Sequence, residues 1–497
     1  MFYLYFFSTG VEKHSPGSLY IETFATKSYV LPIENFLKSG SYIEDVNEPV
    51  SQYIRTPGYG IFYLAFRLFS NEHTAKNLLI ILQILLSGIS VYYLAMTGYY
   101  IYKFSGVFYC IFGIYAVSAF VSMYDGFLIS ESLAISFLIF SLYSIIKLLY
   151  LPGSYRDVLI KLFWAGLFLM LSTFIRPTAA PLFLLIILFV VVRLKTLMTK
   201  QKIIAAMIFF VSIFGIIETS WLVRNYLVSG RLIPFQYNSW IHRTGDPVKD
   251  VEYHAYHWIH TVGDNSIFYE YNTLAAWFFD SGFAEKSYTP PPHIYTSAYN
   301  IDSLQMAKKK FLAYRNRFGV FSSDLSMFKS TRRHTNSADL TNEKSEAIKL
   351  NQIFTRYIDT YRHEKPFDFY ILNNFRLLKI FLVHSGTGQL PMPSLAEMKQ
   401  NKDFVSIFVK LSQSFLYWFI LLAGIGGVIV CILKRNLQSI FLALVVIYGI
   451  SIFPFFVKII EIRFICFAYP FLAASAGICL TYVVKRKQMN LIYSKNQ

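Results

Sequence analysis

Charge is scarce in this chain and cysteine scarcer: of 497 residues, 15% are charged and four are cysteine. Cys110, Cys431, Cys466 and Cys479 all lie in apolar segments without C-x-x-C spacing, so neither a disulfide framework nor a zinc site is indicated. The opening "MFYLYFFSTG" has no basic stretch and no small-residue cleavage site, so it does not read as a cleavable signal peptide. Tandem repeats and low-complexity tracts are also missing. A net charge of +17 would suggest nucleic acid in a soluble chain. Here much of it falls in short loops between apolar stretches, where topology and anionic head groups account for it, and no nucleic-acid partner is expected.

What the chain has instead is apolar surface, 55% hydrophobic and 18% aromatic residues. Several runs approach the ~20 residues needed to cross a hydrocarbon core, and only helices of this kind satisfy their backbones in lipid. The reading is an all-α polytopic membrane protein with helices near 75–101, 104–121, 127–149, 158–175, 177–193, 203–224, 411–433, 437–456 and 464–484. Residues 1–8 read as the end of a further, truncated span, giving about nine or ten in all; a start upstream is the other reading.

Alternate loops carry Lys103; Lys147, Arg156 and Lys161; Arg193, Lys195, Lys200 and Lys202; Lys434 and Arg435; and Lys485, Arg486 and Lys487. The positive-inside rule assigns these to the cytoplasm. Residues 9–74 and 225–405 then fall outside. The expected organisation is a transmembrane module over 1–224, an extracytoplasmic segment over 225–405 and C-terminal spans with a tail over 406–497. Within the outer regions, Tyr29 to Leu37 reads as an amphipathic helix with Gly40 as its stop, and Glu343 to Tyr361 as another. The segment 370–386 is too short and too charged to cross and is expected at the interface.

The spans are nearly free of charge, which gives weight to the exceptions near their outer ends: Glu131, Arg176, Glu218, Arg224, Lys458, Glu461 and Arg463. Arginines grip phosphate bidentately and a carboxylate takes a proton from an attacking hydroxyl, so the set suits chemistry at the lipid–water boundary. Any one of them could equally be a snorkelling or topological charge.

Five stretches then form an ordered pattern: "YIRTPGYGIFYLAFRLF" (53–69), "LISESLAISFL" (128–138), "FIRPTAAPL" (174–182), "WLVRNYLVSGRLIPF" (221–235) and "EIRFICFAYPFL" (461–472). Together they resemble the GT-C superfamily of membrane glycosyltransferases, in particular the branch of protein O-mannosyltransferases and lipid A aminoarabinose transferases. The correspondence is to its R-x-P-G-Y, S/T-E-S-L, R-P-T, W-x-x-R-N-Y and E-x-R elements. Residues 240–370 carry little recognisable similarity.

The resemblance implies a GT-C-like bundle and an inverting glycosyltransferase of the cytoplasmic membrane, with its active site on the extracytoplasmic side. The donor would be a sugar on a polyprenyl phosphate, and the acceptor a glycolipid, polysaccharide or protein. Arg55 and Arg224, followed by Arg176 and Arg463, are the expected ligands of the donor phosphate. Pro57, Gly58 and Tyr59 form the turn that sets Arg55 at head-group level. The branch carries an Asp four residues before the Tyr that opens its first amphipathic helix; aligned through Tyr29, that position is Ala25. Three readings follow: Glu22 replaces the acid, Asp45 or Glu48 does, or ordinary activity is lost. Asp125 and Glu131 supply a second acid where the family often has one.

No cofactor is required by this reading, though a divalent metal is compatible with it. His254, His257 and His260, spaced i, i+3 and i+6, spread too widely over a helix to make a good tetrahedral site. The basic stretch 308–317 suits contact with lipid head groups. Two other functions remain open: a transporter or flippase of a lipid-linked saccharide, against which the boundary-located charges argue, and a catalytically impaired relative that binds a glycolipid, which Ala25 keeps in view.

Overall fold

In the computed structural model, residues 17–23, 25–44, 55–230, 232–236, 245–248, 250–264, 274–279, 288–318, 337–383, 392–458, 460 and 462–495 are described. Asp45, Glu48, Glu461 and residues 1–8 lie outside them. Among the described residues the structure is helical, with only an isolated bridge between Ile21 and Phe127. Seven helices among the described residues are long and apolar enough to cross a membrane, and an eighth if a bent pair counts as one span. A shorter apolar helix runs over Tyr469–Lys485. The chain is therefore an all-α protein with the make-up of a multi-pass membrane protein.

Two compact units divide it. Residues 1–236, 385–449 and 466–497 form the first, and 237–384 with 450–465 the second.

In the first unit, α1 (Thr26–Ser39) buries Tyr29, Val30 and Ile33 on one face and stops at Gly40. Gly40 has φ 74° and its N–H bonds back to Phe36 O, a left-handed cap that glycine adopts without strain. Pro57 then opens α2 (Gly58–Arg67), and α3 (Glu72–Tyr102) begins at Asn71, whose side chain accepts from Thr74 N. Glu34 ties α1 to α2: it accepts from Tyr63 Oη at 2.6 Å and from Arg67 Nε at 2.9 Å.

α4 (Ser105–Val117) ends at Ser118, whose extended backbone breaks the expected 104–121 span; a second piece, Ala119–Gly126, leaves at 43°. α5 (Glu131–Tyr150), α6 (Tyr155–Ile175), α7 (Leu182–Leu194) and α8 (Lys200–Ser229) follow. α5 packs against both α3 and α6 and is almost wholly buried, which fits its run of apolar and small residues between Glu131 and Lys147. α13 (Phe404–Lys434), α14 (Leu437–Ser451) and α15 (Tyr469–Lys495) complete the unit, numbered after the four long helices of the second. α13 and α15 touch through Gly424 and Gly427, where a Cβ would run into Leu472 and Ser475, the close backbone approach that small residues permit between helices.

The second unit contains α9 (Asp250–Thr261), α10 (Ile301–Phe318), α11 (Ser337–Glu364) and α12 (Asn373–Val383). Its core is aromatic: Trp258, Phe278, Phe311, Phe354 and Tyr357 are all buried together. α11 extends the helix expected over Glu343–Tyr361 at both ends.

Candidate functional site

The first loop is fastened to the chain around Asp125. Ile21 N donates to Gly126 O at 2.8 Å, Leu128 N to Ile21 O at 3.1 Å, and Thr26 Oγ1 to Leu128 O at 3.1 Å. These bonds hold the start of α1 over the start of α5. They also explain why α5 begins at Glu131 and not at 127: the intervening residues pair with the first loop.

Below that junction runs a buried polar network. Tyr29 Oη is 2.9 Å from Ser130 Oγ, and its ring lies 5.0 Å from that of Tyr59. Tyr59 Oη donates to Gln83 Oε1 at 2.8 Å, while Gln83 Nε2 donates to the carbonyl oxygens of Asp125 and Phe127 at 2.8 and 3.1 Å. Gln83 is wholly buried within a span, and both ends of its amide are used, as burial of an amide demands. Asp125 itself accepts from Ser132 Oγ at 2.6 Å.

Gly58 sits directly on the end of α6. A Cβ there would collide with the backbone of Phe174 and come within 2.7 Å of Ile175 N, so no larger residue fits without displacement. The next residue along α6 is Arg176, which leaves the helix in an extended conformation and pairs with Glu131 at 2.5 Å. Two expected site residues thus meet each other. Glu131 is nearly inaccessible, whereas Arg176 keeps a fifth of its side-chain surface exposed.

Arg55 lies across α1. Its guanidinium carbon is 5.0 Å from the Tyr29 ring centre, and its Nε donates to Ser28 Oγ at 3.2 Å. Ser28 Oγ in turn donates to Ala25 O at 2.8 Å. The position at which the resembling branch carries its acid is therefore linked to Arg55 through one hydroxyl.

Arg224, near the end of α8, arrives from the other direction. Its Nη2 donates to Tyr42 O at 2.9 Å, and its guanidinium stacks over the rings of Trp221 and Tyr42 at 4.9 and 5.6 Å. Tyr42 Oη donates weakly to Arg55 O at 3.4 Å. One tyrosine thus joins the two arginines expected to hold a phosphate. Burial pushes the Tyr42 phenol above its usual range, against the pull of both guanidinium charges, so it remains a neutral donor.

Around this tyrosine is an aromatic wall. Tyr42 packs edge-on to Trp221, which clusters with Met170 and Phe174. Phe235 closes it, 6.3 Å from Phe174 and 6.1 Å from Phe214. Phe235 N donates to Glu218 Oε1 at 3.1 Å and Phe235 O accepts from Trp221 Nε1.

The remaining candidates stand differently. Glu22 is engaged by Lys76 Nζ at 2.6 Å, and Lys76 reaches Glu72 at the same distance. Arg463 belongs to the second unit, where its guanidinium lies 5.8 Å from the Phe464 ring. His254, His257 and His260 do not converge: the first faces Thr355, the second stacks on Tyr253 and the third on Tyr256. Among the described residues no group of three His, Cys, Asp or Glu side chains is placed to hold a metal ion. Burial, together with His257 and Lys458, pushes the His260 imidazole down to about 3, so it stays neutral.

Sequence reasoning passed over Tyr42, Ser28, Gln83 and Lys76. Only Lys76 left a signal, in its i,i+4 spacing from Glu72 at a helix start. The geometry is that of an aromatic cluster, Tyr42, Trp221, Phe174 and Phe235, with the Arg224 guanidinium stacked on it and the backbone of Arg55 bonded to Tyr42, while the Arg55 guanidinium lies on the neighbouring Tyr29. In comparison with known proteins, no family model, no curated protein and no solved structure matches the chain.

Proposed function

We propose that the protein is a membrane glycosyltransferase. It takes a sugar from a polyprenyl-phosphate donor at the extracytoplasmic face of the cytoplasmic membrane and passes it to a hydroxyl of a glycolipid, polysaccharide or protein. The observation that carries this reading is that Tyr42 links the two arginines, taking the Arg224 guanidinium on its carbonyl and ring and giving its hydroxyl to the Arg55 backbone carbonyl. Two guanidinium groups drawn from distant parts of the sequence suit the two negative charges that develop on a departing phosphate monoester. Arg176 lies in the same unit with a fifth of its side chain exposed, its charge balanced by Glu131. Inverting transfer needs little else: a base for the acceptor proton, positive charge on the leaving group, and orientation of the two substrates.

A second reading draws on Ala25 and Glu22. Ala25 carries no acid, and Glu22 is committed to Lys76, so a glycolipid-binding relative with impaired turnover is also supported.

The test is direct. Full-length protein in lipid nanodiscs is given a panel of radiolabelled polyprenyl-phosphate hexoses together with extracted membrane glycolipids, polysaccharide and protein. Label leaving at least one donor for an acceptor is the expected result. Donor binding without turnover favours the impaired relative, and neither binding nor turnover overturns both readings.

A further inference from the structure

Three of the acids near this cluster are already committed: Glu22 to Lys76, Asp125 to Ser132 and Glu131 to Arg176. Glu218 is different. Its Oε1 accepts the Phe235 amide, while its Oε2 is buried and has no hydrogen-bond partner among the described residues. A buried acceptor that lacks a donor is rare and costly, and calls for a physical explanation.

The surroundings hold this carboxylate in place. Phe235 has φ 53°, a left-handed conformation that strains a residue other than glycine. Two side chains one helical turn apart on α8 keep it there, Glu218 on its N–H and Trp221 on its carbonyl. Trp221 also carries Arg224 and Tyr42, so Glu218 belongs to the same aromatic wall as the Arg224 guanidinium and as the tyrosine bonded to the Arg55 backbone. Glu218 lies sixteen residues beyond Lys202 along α8, about 24 Å at 1.5 Å per residue, close to the far edge of a hydrocarbon core.

We propose that Glu218 is a further catalytic residue of the transfer, the base that receives the acceptor proton; this rests on the transferase reading above. The acceptor oxygen attacks the anomeric carbon as its O–H proton passes to Glu218 Oε2. The bond from the anomeric carbon to the phosphate oxygen breaks, and its electron pair leaves with the polyprenyl phosphate. Arg55 and Arg224 meet the charge that arrives there. The proton on Glu218 then returns to solvent.

Glutamine at position 218 separates this role from a purely structural one, because its carbonyl oxygen still accepts from Phe235 N but takes no proton. The experiment uses the full chain in nanodiscs with a polyprenyl-phosphate hexose that the wild type turns over. Ethanol and the more acidic trifluoroethanol serve as probe acceptors. For Glu218→Gln the expected result is a kcat lower by about 10²-fold or more, within the usual range for loss of a general base. Donor KM and thermal midpoint stay unchanged, Glu218→Asp recovers part of the rate, and the loss is smaller with trifluoroethanol than with ethanol. Wild-type turnover in Glu218→Gln, or an equal loss with both alcohols, overturns the assignment alone. A wild-type protein that transfers from no donor overturns the transferase reading and this assignment together.

Discussion

Arg224 and Tyr42 are joined twice, by a hydrogen bond from the guanidinium to the Tyr42 carbonyl at 2.9 Å and by the same guanidinium lying over the tyrosine ring. The two residues are 182 positions apart in the chain. The contact fastens the far end of α8 to the first loop, where Arg55 is found, and makes the loop part of the helical unit rather than a tether outside it.

That fastening depends on how closely α2 approaches α6. Gly58→Ala places a methyl against the backbone of Phe174 and Ile175 and is expected to cost about 1–3 kcal/mol, the range for overpacking a tight contact. Gly88→Ala, in open space on α3, is expected to be neutral or slightly stabilising. Thermal midpoints of the two purified variants by size-exclusion fluorescence make the comparison. Equal midpoints would show that Gly58 is not pinned.

Glu34 gives the first loop a pH dependence. Burial opposes ionisation of its carboxyl, but hydrogen bonds from Tyr63 and Arg67 outweigh it and hold the group below its ordinary value of 4.5. With a folded value below the unfolded one, ionised Glu34 contributes stability that is fully present above pH 4.5 and drains away as pH falls through the lowered folded value. Wild type is therefore expected to lose stability more steeply than Glu34→Gln, which lacks this titration, as pH falls below 4.5, with the two curves parallel between neutral pH and that point. Curves that stay parallel below that point as well would remove Glu34 as the cause.

The pair formed by Glu131 and Arg176 is buried on the carboxylate side. Removing one partner of such a pair strands a charge and typically costs about 3–5 kcal/mol, whereas replacing both by apolar residues is often nearly neutral. Glu131→Met is expected to reduce the yield of folded protein sharply, and the double variant Glu131→Met, Arg176→Met to restore much of it. A double variant as poor as the single would show that the carboxylate is needed for itself.

Position 25 can be tested by addition. With Glu218 as the base, Ala25→Asp is expected to leave transfer unchanged; a sharp rise in Ala25→Asp that Ala25→Asn, which cannot take a proton, does not share would place the base in the first loop instead. Glu22→Gln is expected to leave transfer unchanged, because Glu22 is engaged by Lys76. A large loss in Glu22→Gln would instead return the base to Glu22.

How much of this was legible in the sequence varies with the range of the interaction. Gly40 as the stop of α1, the helix around Glu343–Tyr361 and the positions of the long apolar helices all follow from local pattern. Ser118, inside an apolar run, gives no such sign, and its extended backbone turns one expected span into a bent pair. Of the nine expected spans, seven are long apolar helices among the described residues, one is this bent pair and the last is the shorter apolar helix over Tyr469–Lys485; the tenth, at residues 1–8, lies outside them. Arg176 and Arg224 are marked by residue type and position, and Arg55 by the motif that carries the resemblance. That Arg176 would meet Glu131, and that Tyr42 would join the other two, is set by how helices pack, which a single sequence does not display. Glu218 was visible only as one boundary charge among several, because a carboxylate is distinguished by which of its oxygens lacks a donor.

The most direct test of the central claim is donor turnover by Arg55→Ala and Arg224→Ala, assayed with the full chain in nanodiscs and a radiolabelled polyprenyl-phosphate hexose. Each lost charged contact is worth about 1.5–3 kcal/mol, so each variant is expected to lower kcat/KM at least about tenfold while remaining folded. Wild-type turnover in both variants would contradict the account.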